Sequence, residues 1–505
     1  MTENYLNILA ETIRANWDAP ALTDFYLTED GTAQDTSRGN HYTYGEMYAE
    51  LCRVAHLLTS LGLQKGDHIA ICGANSAHWV IAYLAIAKMQ GVSVTVMHSL
   101  MPDEIARFID FSDAKALFVD EDIWRELKDQ SLPRAEHVIR LDDWSVLRGE
   151  TIINHHSSLI NEECGFPHSE PDSLAMICFT SGSTNSQKGI MLSYGNISNN
   201  VKNITDGYPN DDVKVFLSVL PMAHMFGLIT EIFAQLLKGK HVYILANITI
   251  EKLYNAIKIV QPYALRLIPF FASSLVRFHG GTSLLKTCKQ IYIGGSLFDK
   301  QIEQELLEAE IPISIGYGQS EAGPMISYSV CSEYKFETCG KIVSGMTCRI
   351  SPEGEILVKG ENVMLGYYKD PEATARKIDS DGWLHTGDKG HLDEDGYLYV
   401  EGRLEQDIIV LPNGENIRPD HIESLINALP EVSESIVLAR NGKLVAIVVL
   451  KKSSPSLEER AGVRLSILRA VNPQLPLFSQ LYDVEITDTP LARTEKQTIK
   501  RYLYK

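Results

Sequence analysis

The sequence predicts an α/β protein. Its large N-terminal domain consists of two doubly wound α/β subdomains with a small β-rich subdomain, and a small α+β C-terminal domain follows. Apolar runs of strand length alternate with helical patterns from residue 42 to 117 and again from 172 to 318, as βαβ units with parallel sheets require. Beyond 340 the texture changes to short strands broken by Gly, Asp and Pro. At 505 residues the chain fits two or three domains in tandem.

In the first subdomain, residues 43–61 carry apolar side chains at helical spacing, and Gly66-Asp67 makes a turn. A strand at 68–72, a helix at 76–90 and a β-branched strand at 92–97 follow. The second subdomain supplies strands at 174–179, 215–220, 241–245, 290–293 and 313–315, the last just after a proline, which suits a strand start. The segments GEILVKG, GYYKD, DGWLHTGD and EDGYLYVEGR form the β-rich texture between 340 and 402. The remainder reads as a strand, a helix at 419–428, strands at 434–439 and 444–450, a helix at 457–471 and a basic terminal segment. The expected boundaries are therefore about 1–171, 172–339 and 340–402 within an N-terminal domain 1–402, then a C-terminal domain 403–505.

Hydrophobic residues at 45% and charged residues at 22% suit a soluble globular chain. A net charge of −19, from 46 Lys+Arg against 65 Asp+Glu, repels phosphate backbones and argues against a nucleic-acid partner. A phosphate-bearing ligand must then be held by specific donors and Mg²⁺. The eight cysteines are scattered, with no C-x-x-C, and read as buried free thiols of a reducing compartment. The N-terminus lacks a basic start and an apolar block, and the apolar runs are too short for a bilayer. The expectation is a cytoplasmic protein with no transmembrane segment.

The strongest local signal is FTSGSTNSQKG at 179–189, directly after a strand. Small residues let backbone N–H groups approach an anion, hydroxyls bind phosphate oxygens or Mg²⁺, and Lys188 adds a point charge. The Walker order is absent. Taken alone, such a string also suits a plain polar loop. Later come LPMAHMFGL (220–228), IYIGGSLF (291–298), GYGQSEAG (316–323), GWLHTGDKG (382–390) and GYLYVEGRLEQDIIVLPNGENIRPDHIE (396–423). The third of these is a near-miss for the hydrolase elbow, because Ala322 stands where the last glycine belongs.

In this order the segments resemble the superfamily of acyl- and aryl-CoA ligases, peptide-synthetase adenylation domains and luciferases, across residues 43–501. The resemblance implies that Thr180, Ser181, Gly182, Ser183, Thr184 and Lys188 form the phosphate loop, although Asn185 and Gln187 depart from the usual Gly and Pro. It places His224 near the substrate carboxylate and phosphate. It puts Gly294, Gly295 and Ser296 beside adenine, and Tyr317 of the segment Gly316, Tyr317, Gly318, Gln319 against its ring. Ser320 would contact the α-phosphate, and Glu321 with Thr180 would hold Mg²⁺. Asp388 and Arg403 would bind the ribose, Glu405 would be a hinge for a mobile C-terminal domain, and Gly414 would lie in a turn beside the thiol tunnel.

The pattern breaks at PLARTEKQTIKR (490–501), where Thr498 replaces the family's lysine and Gln497 its glycine. A charge pair at 4 Å and an effective dielectric near 20 is worth roughly 4 kcal/mol, or roughly a thousandfold in rate if fully expressed in the transition state. Lys496 or Lys500, which flank the vacancy, is the expected substitute.

The resemblance implies ATP (as AMP and acyl-AMP), Mg²⁺ and coenzyme A as ligands. Gly227 stands where amino-acid activators place an Asp, which argues against an amino-acid substrate. The first expectation is a medium- or long-chain fatty acid. The alternatives are an aryl or bicyclic acid, loading of an acyl carrier protein, and a non-catalytic acyl or nucleotide binder.

Overall fold

The computed structural model describes residues 3–149, 164–179, 188–206, 214–278, 280–404, 409–451, 457–492 and 503–504. Its chain divides into two compact units: the larger ends at Gly402, and the smaller is made mainly of Arg403–Lys505 and takes in Ser99–Met101 as well.

The larger unit is organised around an eight-stranded sheet. Its order is Gly366–Tyr367, Gly189–Ser193, Leu174–Phe179, Val92–Thr95, His68–Cys72, Ala116–Val119, His137–Arg140 and Val146–Arg148. The strands from Leu174–Phe179 to His137–Arg140 run parallel, and the edges are antiparallel. Parallel strands covered on both faces have no polar side to show, which is why they read as continuous apolar runs. Helix Tyr44–Ser60 starts where Thr43 and Glu46 exchange side-chain and backbone hydrogen bonds, a capping box. Helix Ala77–Lys88 starts at Ser76, which caps the Trp79 N–H, and is buried from Ala77 to Ala87.

The boundary expected at 171/172 does not separate the sheets. Leu174–Phe179 and Gly189–Ser193 belong to the sheet of the first subdomain. Conversely, Pro20–Phe25 runs parallel to His241–Leu245 in a four-stranded sheet with Val215–Ser218 and His41–Thr43. Periodicity identifies a strand, but its neighbour is decided by which apolar face remains to be covered. For the same reason GYYKD leaves the β-rich region, and its Gly366–Tyr367 becomes an edge of the eight-stranded sheet.

A five-stranded sheet of Ala264–Leu267, Gln290–Ile293, Ile313–Gly318, Met325–Tyr328 and Lys341–Ile342 delivers the glycine-rich motifs. The β-rich part is a sheet of Met346–Ile350, Glu355–Gly360, Leu384–Leu392 and Leu398–Arg403.

The smaller unit has a hairpin of Ile409–Val410 and Asn416–Ile417, helices Pro419–Asn427 and Leu457–Val471, and a three-stranded sheet. That sheet pairs Val432–Arg440 with Lys443–Leu450 and adds Leu481–Thr487 in parallel, a strand where the sequence pattern predicts only a terminal segment. All eight cysteines are free. Among the described residues no helix is long and apolar enough to cross a membrane.

Candidate functional site

Strand Leu174–Phe179 leads into the expected phosphate loop. Thr180, Ser181, Gly182, Ser183 and Thr184 lie outside the described residues, as do Glu405, Lys496, Thr498 and Lys500. The loop's exit is described: the Lys188 ammonium stands 4.9 Å from the centroid of the Tyr367 ring. Gly189–Ser193 then pairs antiparallel with the strand just left.

Strand Ile313–Gly318 carries Gly316, Tyr317 and Gly318 and runs through Gln319 into a short 3-10 turn, Ser320–Ala322. Gly318 must be glycine, because a Cβ there would stand 2.0 Å from the Pro324 carbonyl oxygen. The Tyr317 hydroxyl donates to Asp388 Oδ2 at 2.6 Å, joining two expected nucleotide contacts far apart in sequence. Asp388 is buried on strand Leu384–Leu392, and its N–H donates to Thr386 Oγ1 at 3.0 Å. Glu321 is buried too. Its Oε1 accepts from the Tyr367 hydroxyl at 2.7 Å, and its carbonyl accepts from the Met364 N–H at 2.9 Å.

The glycine turn after Gln290–Ile293 closes on the same strand. The Gly294 N–H donates to the Leu267 carbonyl at 3.1 Å, and Gly295 takes φ +97°. A Cβ at Gly294 would meet the Gly316 carbonyl oxygen at 3.3 Å and the Phe226 ring at 3.4 Å, so three motifs converge here. Ser296 Oγ and Gln319 Nε2 are both buried without a hydrogen-bond partner among the described residues. Buried polar atoms are nearly always satisfied, so an orphan after the glycine turn and another after strand Ile313–Gly318 mark places where a polar ligand fits.

The His224 segment is held from two sides. Asn75 donates to the Leu220 carbonyl at 2.7 Å and accepts the Met222 N–H at 2.9 Å, and Thr95 Oγ1 donates to the Ala223 carbonyl at 3.1 Å. Glu231, fully buried in the π-helical turn Leu228–Phe233, accepts from the Ser218 hydroxyl and the Val219 and Leu220 N–H groups. His224 Nδ1 accepts the Phe226 N–H at 3.2 Å, so the neutral ring carries its proton on Nε2. The ring is solvent-accessible yet ringed by protein, as in a recess, and desolvation there pushes its pKa below the ordinary value. A Cβ at Gly227 would stand 2.4 Å from the Pro221 carbonyl oxygen, so packing alone excludes the Asp of amino-acid activators.

Two expected residues belong to the smaller unit. Arg403 ends strand Leu398–Arg403, and Gly414, at φ +87°, makes the tight turn whose N–H donates to the Leu411 carbonyl.

Sequence reasoning missed a set of supporting residues. Helix Tyr194–Asp206 buries Asn196, Asn199, Asn200 and Asn203. Asn196 donates to the Glu361 and Val363 carbonyls, and Asn200 donates to the Ala322 carbonyl while accepting the Met325 N–H. Buried Asn362 accepts from Asn199 and donates to the Met325 carbonyl. These bonds tie the turn bearing Glu321 to the segment bearing Tyr367. The only signal in the sequence is an asparagine-rich string at helical spacing, which ordinarily reads as a solvated face.

Residues 9–368 match the family model described as AMP-binding enzyme, and residues 406–504 match that of the AMP-binding enzyme C-terminal domain. A 4-coumarate–CoA ligase of Vanilla planifolia is 27% identical, covering 83% of this chain and 81% of its own. One of Arabidopsis thaliana is 28% identical over 92% of this chain and 87% of its own. The structure of a double mutant of o-succinylbenzoate CoA synthetase from Bacillus subtilis aligns with a TM-score of 0.78 at 23% identity, covering 98% and 97% of the two chains.

Proposed function

The chain belongs to the AMP-binding enzymes and is an AMP-forming acyl-CoA ligase, and from that premise we propose that the acid it activates is aromatic or ring-bearing. The observation that carries the nucleotide site is the convergence at the Gly294-Gly295 turn. Ser296 Oγ follows that turn and Gln319 Nε2 follows the strand whose Tyr317 is bonded to Asp388, both buried without a hydrogen-bond partner among the described residues. An adenine edge offers both donors and acceptors, and an Asp388 carboxylate suits ribose hydroxyls.

The first expectation from the sequence is a fatty acid, and the relatives shift the weight to the aryl alternative, since the Vanilla planifolia and Arabidopsis thaliana enzymes are named for 4-coumarate. Phe226 supports that shift. It is half-buried, lies next but one to His224 and packs on Gly294, so it sets an aromatic face beside the nucleotide turn, where a flat acid stacks well.

In the first step a carboxylate oxygen attacks the α-phosphorus of ATP in line and pyrophosphate leaves. Two anions must meet, so the protein supplies positive charge and alignment. We assign these tasks to Lys188, to the Nε2–H of His224 and to Lys496 or Lys500 in place of the family lysine at Thr498. The donor set fits Mg²⁺: Glu321 offers a buried carboxylate oxygen, and Thr180, the residue after Phe179, offers a hydroxyl. The bound ion would neutralise phosphate charge. In the second step the coenzyme A thiol attacks the acyl carbonyl carbon and AMP leaves. Rotation of the C-terminal domain about Glu405 between the steps belongs to this reading, with Arg403 at the ribose and Gly414 beside the thiol path.

The test is incubation with ATP, Mg²⁺, coenzyme A and a panel of hydroxycinnamic, bicyclic and fatty acids, with AMP and acyl-CoA read by mass spectrometry. We expect acyl-CoA from an aryl or bicyclic acid at the highest kcat/KM. A preference for fatty acids would return the substrate to the first expectation. Acyl-AMP without thioester would point to a carrier-protein acceptor, and no AMP from any acid would leave a binder.

A further inference from the structure

Residues 361–368 strap together two parts of the nucleotide site that are distant in sequence. At one end Gly366 and Tyr367 pair with Met191 and Ile190, and the Tyr368 N–H donates to the Gly189 carbonyl at 2.7 Å, so the strap grips the chain immediately after Lys188. At the other end the Met364 N–H donates to the Glu321 carbonyl at 2.9 Å. Between them Tyr367 is buried, its N–H donating to Thr374 Oγ1 at 2.8 Å. A Cβ at Gly366, where φ is +140°, would stand 2.8 Å from the Thr374 methyl group, so the strap sits tight.

The side chain of Tyr367 then touches both charges. Its hydroxyl donates to Glu321 Oε1 at 2.7 Å, and its ring face lies 4.9 Å from the Lys188 ammonium. Both contacts hold an ion without neutralising it. A phenol donor occupies one lone pair of a carboxylate and brings no positive charge to compete with a metal. A ring quadrupole attracts an ammonium and leaves its charge available to phosphate.

We propose that Tyr367 is a positioning residue that holds the Glu321 carboxylate and the Lys188 ammonium at a fixed spacing, so that a metal-bound nucleotide meets both. The inference rests on the nucleotide site proposed above and adds a residue to it.

The experiment is calorimetric titration of the full chain with ATP, in EDTA and in saturating Mg²⁺, for wild type, Tyr367→Phe and Tyr367→Leu. Phenylalanine keeps the ring under Lys188 and removes only the bond to Glu321. We expect its Mg²⁺-dependent gain in ATP affinity to fall about tenfold, the scale of a hydrogen bond to a charged group, with metal-free affinity unchanged. Leucine removes the ring as well, so metal-free affinity falls too. A wild-type Mg²⁺ gain in Tyr367→Phe overturns the proposal. So does an equal loss with and without metal, which would be a packing effect. A wild-type chain that gains nothing from Mg²⁺ takes down the nucleotide-site reading together with this one.

Discussion

Helix Ala77–Lys88 and helix Tyr194–Asp206 both lie inside the larger unit, but they are held by different forces. The first is apolar nearly all the way round, with Trp79, Val80, Ile81, Leu84 and Ile86 fully buried. Burial of that kind is non-directional and rewards volume. The second buries four asparagines whose amides reach carbonyls and N–H groups of the turns around Glu321 and Tyr367. Hydrogen bonds are directional, and a partner left unmatched inside costs more than a matched one contributes. The apolar helix therefore stabilises the fold, whereas the polar helix sets the spacing of the site. Leu228–Phe233 bridges them. Phe233 packs on Tyr83 of the first at 5.0 Å and on Tyr5 at 5.2 Å, and Tyr5 in turn stacks on Tyr194 of the second.

The largest effect should come from the apolar side. Trp79→Ala empties the most voluminous of the fully buried side chains and should cost about 3–5 kcal/mol in a urea titration. Activity per folded molecule should stay near that of wild type. An activity loss beyond the unfolded fraction would break the division of labour.

Asn362→Leu is the counterpart. It keeps roughly the volume and removes the bonds to the Asn199 amide and the Met325 carbonyl, at about 1–3 kcal/mol for the two together. Here kcat/KM for ATP should fall even where the chain is fully folded. Unchanged nucleotide kinetics would show that the asparagines only stabilise.

The bridging segment gives a pH prediction. Burial raises the Glu231 carboxyl from 4.5 to about 8. Between those values the folded chain holds a proton that the unfolded chain releases. That contribution is complete below pH 4.5 and is lost as pH rises to about 8, with a slope of at most about 1.4 kcal/mol per pH unit. Glu231→Gln should remove this component, so the stability gap between variant and wild type should change across that window and be flat outside it. Parallel curves throughout would refute it.

The smallest effect sharpens the contrast. Leu84→Met, a volume-conserving swap, should cost less than about 1.5 kcal/mol and leave catalysis alone. A kinetic defect there would mean that the apolar helix also tunes the site.

Much of the frame was legible in the residues. Strands His68–Cys72, Leu174–Phe179, His241–Leu245 and Gln290–Ile293 fall where apolar runs and turn residues place them. Helix Pro419–Asn427 and helix Leu457–Val471 do so too. Tyr317, Asp388, Glu321 and the Gly294-Gly295 turn were picked out by motif, and the structure brings Tyr317 to Asp388 and the turn to Gly316. Tyr367 went unnoticed because GYYKD reads as one more short strand. The pairing of Pro20–Phe25 with His241–Leu245 had no signal, since nothing near either strand identifies the other.

The sequence by itself therefore determined many of the elements, the order of the motifs and the family's chemistry, because each is written in residues close together along the chain. Only the tertiary structure decided which strands share a sheet. It also made Gly227 and Gly318 sterically obligatory and set Tyr367 between Glu321 and Lys188. Those outcomes depend on atoms from remote segments competing for the same few ångströms, and no local periodicity encodes that competition.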